Sequence, residues 1–158
     1  MNWRWGIRSE GAPPAALFIR LAVGLIFLTQ GILKYTDPHM GILRFERIGF
    51  PYPGPLALTV GSFEMLCGGL ILLGLATRFA AIPLLVIILT AICTTKIPEL
   101  FQPLQGFWFM VSDARTDFSM LTGLLFLLLA GPGGISLDQR LRTLSNRSDS
   151  QDKQKLSG

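Results

Sequence analysis

The chain has 158 residues, of which 50% are hydrophobic and only 15% charged, and its mean hydropathy is positive, at +0.49. A water-soluble domain this small leaves about a third of its unfolded surface exposed and carries nearer a quarter charged residues, so an ordinary soluble domain and a disordered chain are both excluded. The formal net charge of +4 is accounted for by membrane topology and a basic tail, and it calls for no nucleic-acid partner.

Residues 15–34, 55–75, 79–95 and 118–131 together contain only Arg20, Lys34 and Glu64 of the 24 charged residues. A hydrocarbon core of roughly 30 Å needs about 20 helical residues to cross it. The first span is predicted over residues 15–34. Arg4 and Arg8 precede it as they would a signal peptide, but the apolar run is too long, Arg20 interrupts it, and no small-x-small cleavage site precedes Lys34. A loop follows, with an amphipathic stretch from Leu43 to Ile48 suited to the membrane interface, and then Phe50-Pro51-Tyr52-Pro53-Gly54 as a rigid entry to the second span at 55–75. Leu75-Ala76-Thr77-Arg78 reads as a tight turn. The third span, 79–95, is near the lower length limit, with Pro83 in its first turns, where a missing N–H does least harm. Residues 96–106 read as a loop with two prolines, followed by Phe107, Trp108 and Phe109, an aromatic group that marks an interfacial belt or the mouth of a ligand site. The fourth span is strictly apolar only from Phe118 to Ala130, so it recruits upstream residues to cover about 108–131 and draws Asp113, Arg115 and Asp117 to the membrane boundary.

The expected architecture is all-α: an up-and-down bundle of four transmembrane helices over 15–131, a cytoplasmic N-terminal segment 1–14, and a polar, basic, partly disordered tail 132–158. With an even number of spans, nine Lys and Arg residues fall on the side of the termini and five on the other, which places both ends in the cytoplasm.

Cys67 and Cys93 lie at levels differing by roughly 9 Å along their helices, too far for a disulfide, and read as small packing residues. His39 is the only histidine, so neither a histidine-rich metal site nor an all-histidine haem site is built from this chain alone, and no metal is expected. What remains is a set of polar groups in the membrane, where an ionisable side chain is costly without a partner. Glu64 lies near the midplane, with Gly61 and Gly68 on the same helix face to admit a close neighbour. Arg20 and Gln30 bracket its level on the first span, with Arg20 able to stretch toward it. Lys34, Asp113 and Asp117 lie toward the other surface, and Arg78 marks a boundary. Arg20, Glu64, Gln30, Asp117 and Lys34 are read as a polar ladder, which either fixes helix register or forms a proton or quinone site.

Arg20-Leu21-Ala22-Val23-Gly24-Leu25-Ile26-Phe27 with Gly31-Ile32-Leu33-Lys34, then Glu64-Met65-Leu66-Cys67-Gly68-Gly69-Leu70 with Leu73-Gly74-Leu75-Ala76-Thr77-Arg78-Phe79-Ala80-Ala81, and the exit Gly131-Pro132-Gly133-Gly134-Ile135-Ser136-Leu137-Asp138 resemble the DoxX family of small bacterial and archaeal membrane proteins over about residues 15–140. The resemblance implies a four-helix bundle in the cytoplasmic membrane with both termini inside. It further implies a subunit or membrane anchor of a quinone-linked redox complex, of the quinol oxidase or thiosulfate-to-quinone type, with Arg20, Glu64, Arg78 and Asp117 at recurrent polar positions. The sequence carries no recognisable ligand set for a bound cofactor, and the resemblance implies a quinone as the small molecule it would meet. Whether the chain is itself an enzyme stays open. On this reading Glu64 or Asp117 accepts protons, with Phe107 and Trp108 at the mouth. The alternatives are a non-catalytic scaffold for a partner protein and a small-solute transporter formed by homo-oligomers.

Overall fold

The computed structural model describes residues 16–100, 106–133 and 136–137, and every element among them is helical. The expected N-terminal segment with Arg4 and Arg8, residues 101–105, Gly134, Ile135 and Asp138 of the exit motif, and the tail cations Arg140, Arg142, Arg147, Lys153 and Lys155 lie outside the described residues. The elements are α1 (Ala16–Thr36), α2 (Ile42–Ile48), α3 (Pro53–Leu73), α4 (Thr77–Ala91), a π-helical turn (Ile92–Lys96) continuing into α5 (Ile97–Leu100), and α6 (Gly106–Ala130).

Four long helices pack in a ring, α1 on α3, α3 on α4, α4 on α6 and α6 on α1. Three of them, Ala16–Thr36, Pro53–Leu73 and Thr77–Lys96, are long and apolar enough to cross a bilayer. α6 has 25 residues, with Asp113, Arg115 and Asp117 in its first half.

The α1–α3 contact is dictated by glycine. A Cβ on Gly24 would fall 3.0 Å from the carbonyl oxygen of Gly68, and one on Gly31 would fall 2.7 Å from that of Gly61. The two backbones therefore touch at two levels, Gly24 with Gly68 and Gly31 with Gly61, which fixes an antiparallel register by close approach of small residues. The same register places Arg20 level with Leu72.

The inner faces of the helices meet in one apolar core of Val23 and Phe27, Cys67 and Ile71, Ala81, Leu84 and Ile88, and Met120, Leu124 and Leu127. Cys67 is buried there, while Cys93 is exposed, and both are free thiols.

Two boundaries differ from the sequence expectation. α4 begins at Thr77, so Pro83 falls in its second turn, past the N–H groups that have no helical acceptor, and the carbonyl of Phe79 loses its helical donor. At the other end the helical path does not stop at Thr95 but runs on to Leu100 through the π turn. Thr94 and Thr95 donate their hydroxyls back to the carbonyls of Thr90 and Ala91, and Pro98 supplies no N–H. Both loosen the ladder where it widens.

Arginine closes the end where α3 turns into α4. α3 stops at Gly74, in the left-handed region at φ 71°, with the N–H groups of Gly74 and Leu75 donating to the carbonyls of Ile71 and Leu70. Arg20, 2% exposed, supplies the remaining donors. Its Nε bonds Ile71 O at 3.0 Å, Nη2 bonds Leu72 O at 2.9 Å, and Nη1 bonds Pro132 O beyond α6 at 2.9 Å. Arg78 Nη2 likewise donates to Leu129 O in the last turn of α6 at 3.1 Å. Cations at these ends also oppose the negative poles of the helices.

Candidate functional site

A cavity of about 320 Å3 opens in the other half of the bundle and reaches the mid-height of α3. α1 contributes Ile26, Phe27, Gln30 and Lys34; α3 contributes Leu56, Val60 and Glu64; α4 and the π turn contribute Thr90, Thr94 and Thr95; α6 contributes Thr116, Asp117 and Met120. The short helix α2 covers the end with Arg44, Phe45 and Ile48, next to Phe50. α2 is held by its Gly49 cap, at φ 87°, whose N–H donates to Glu46 O. The rings of Phe45 and Phe50 lie 5.7 Å apart, tilted by 41°.

The inner stripe of α6 shows why the cavity forms at this level. Asp113, Asp117, Met120, Leu124 and Leu127 recur at alternating spacings of three and four, one helix face. The apolar members fill the core, and the stripe turns acidic where the cavity begins.

Within it, Lys34 Nζ meets Glu64 Oε2 at 2.5 Å, with side chains only 10% and 5% exposed. Lys96, at the end of the π turn, pairs with Asp113. Gln30, Arg44 and Asp117 have no hydrogen-bond partner among the described residues, although Arg44 lies within electrostatic reach of both Glu64 and Asp117.

The structure brings Gln30, Lys34, Glu64 and Asp117 to one cavity wall and leaves Arg20 outside it. Arg20 sits two turns of α3 away, at Ile71 and Leu72. The reason is that helical side chains lean toward their own N-terminus. On antiparallel helices Lys34 and Glu64 lean toward each other, while Arg20 leans away. Arg78 is likewise at the far end, on Leu129 O. Asp113 pairs with Lys96 rather than Lys34.

Phe107 and Trp108 pack edge to face at 5.5 Å and are 56% and 80% exposed; they are absent from the cavity wall, where Phe45 and Phe50 stand instead. Sequence reasoning also missed Arg44, Lys96 and the threonines. The signal for the threonines was present, since Thr90, Thr94 and Thr95 place hydroxyls on one face of an otherwise apolar span. Arg44 and Lys96 carried no comparable mark. Among the described residues no cluster of His, Cys, Asp and Glu is arranged to hold a metal ion.

Apolar helices of membrane-crossing length, wrapped around a mostly apolar cavity with a few polar groups, define a multi-pass α-helical membrane protein. The family model DoxX matches residues 15–97, more than half of the chain, and the chain belongs to that family. It is 50% identical over 145 residues to the membrane protein Rv3486 of Mycobacterium tuberculosis, an alignment covering 89% of this chain and 88% of that protein. It is 29% identical over 122 residues to CatD of Bacillus subtilis, provisionally named an oxidoreductase, covering 77% of this chain and 83% of CatD. It is also 29% identical over 136 residues to the inner membrane protein YphA of Escherichia coli, covering 81% and 91% of the two chains. No solved structure gives a match.

Proposed function

We propose that the protein serves a quinone-linked redox system of the bacterial cytoplasmic membrane, as the subunit or anchor that binds a quinone head group in the cavity between α1, α3, α4 and α6. In this reading α6 is a fourth span and both termini are cytoplasmic. The observation that carries it is the cavity itself. At about 320 Å3 it is at the lower end of ligand pockets, roughly 300–1,000 Å3, the size of one or two fused rings. Its wall is mostly apolar, and its polar groups include Gln30, Arg44 and Asp117, none of them hydrogen-bonded to another group among the described residues. The provisional oxidoreductase name of CatD adds a weaker support in the same direction.

The test is purification of the full chain in mild detergent, extraction of any bound quinone, and titration with a methylnaphthoquinone. Saturable binding is expected, and Gln30→Leu should weaken it by about tenfold through loss of a hydrogen bond while leaving the melting temperature in place. Proteins that co-purify are then assayed for thiosulfate-dependent quinone reduction. Absence of bound quinone together with absence of saturable binding overturns the proposal and leaves the anchor role alone.

A further inference from the structure

We infer that Asp117 makes the cavity selective for the reduced form of its ligand, a hydroquinone over the matching quinone. This rests on the quinone reading and adds to it a preference that the cavity's own hydrogen-bonding inventory sets.

Gln30, Arg44 and Asp117, without a hydrogen-bond partner among the described residues, differ in what they accept and give. Arg44 is a donor only, and serves an oxygen of either form, because a carbonyl and a hydroxyl both have lone pairs. Gln30 carries both a carbonyl oxygen and an NH2, and turns to suit either. Asp117 is different. Its carboxylate only accepts, so it bonds a ligand O–H and repels a ligand carbonyl. The charged groups facing it are Lys96 and Arg44, which are cations, and Asp113 one turn away on α6. None of these hydrogen-bonds it in the structure. Three of the wall's threonine hydroxyls, those of Thr90, Thr94 and Thr95, tip the balance the same way. Thr90 gives its proton to Val86 O at 2.8 Å and Thr95 gives its own to Ala91 O at 2.5 Å, so their oxygens offer lone pairs to the cavity and not donors.

The cavity's charges also bear on the form it takes. Lys34 and Arg44 balance Glu64 and Asp117 on its wall, which favours a ligand without net charge. A hydroquinone with both protons in place is neutral, presents one oxygen to Arg44, and donates from its other hydroxyl to Asp117.

The experiment is anaerobic titration of the full-length protein with a methylnaphthoquinone and separately with its hydroquinone. The wild type should bind the hydroquinone about tenfold more tightly, the worth of one hydrogen bond to a charged acceptor. Asp117→Asn supplies a donor as well as an acceptor, and should bring the two affinities within about twofold without changing the melting temperature. Arg44→Gln should weaken both forms alike, which shows that the loss of preference in Asp117→Asn is specific. Equal affinities in the wild type, a preference for the quinone, or a preference that survives Asp117→Asn each overturn the inference while leaving quinone binding standing. Binding of neither form overturns the quinone reading itself, and this inference with it.

Discussion

Arg20 and Lys34 share one face of α1, and among the described residues Lys34 meets a carboxylate while the guanidinium of Arg20 bonds three main-chain carbonyls. Those carbonyls lie in three directions, which a planar fork of donors reaches and a single ammonium does not. Arg20→Lys is therefore expected to lower stability by about 2–4 kcal/mol, one to two buried charged hydrogen bonds, measured as a fall in the midpoint of denaturation in detergent. Glu64→Gln should be costly for a different reason. It leaves Lys34 buried without its counter-charge, a loss of about 3–5 kcal/mol, whereas replacing both Lys34 and Glu64 by Met should be near neutral. A stability comparison of the single and double variants decides this, and inactivity of Glu64→Gln alone is no sign of chemistry at that carboxylate. The positions of these charges are legible in the sequence, because a charge in an apolar run stands out. Their partners are not, because the partner depends on which way each side chain leans once two helices are antiparallel.

At the scale of the element, the glycines of α1 and α3 are not equivalent to glycines elsewhere. A Cβ at Gly31 would lie 2.7 Å from the Gly61 carbonyl oxygen, against backbone that cannot move aside, whereas one at Gly69 has nothing within 4 Å. Gly31→Ala should cost about 1–3 kcal/mol by forcing the helices apart, and Gly69→Ala should be neutral or stabilising by up to about 1 kcal/mol. Thermal melts of the two variants in one detergent give the comparison directly. The lengths of α1 and α3 follow from hydropathy, and the amphipathic run from Leu43 to Ile48 is a helix in the structure, α2. The course of α4 does not follow in the same way. Its apolar run ends near Thr95, but the helix continues because the π turn absorbs the mismatch before Pro98 and brings Lys96 inward to Asp113.

For the whole molecule, a fourth crossing by α6 would put residue 157 on the same side as the N-terminus and opposite residue 52. In a chain with Cys67 and Cys93 replaced by Ala, Tyr52→Cys should be labelled by an impermeant maleimide in intact cells, and Ser157→Cys only after lysis. If α6 does not cross, both positions are labelled from outside. Sequence by itself determined the class of protein and the levels of its polar residues, because the avoidance of charge over membrane-length segments is a property of composition along the chain. It also held the α1–α3 register in Gly24, Gly31, Gly61 and Gly68, though not which glycine faces which. Only the tertiary structure decided that Gln30, Arg44 and Asp117 meet in one cavity while Arg20 and Arg78 hold helix ends. That outcome depends on register, on helix direction and on a short covering helix, each a relation between segments that no stretch of sequence carries alone.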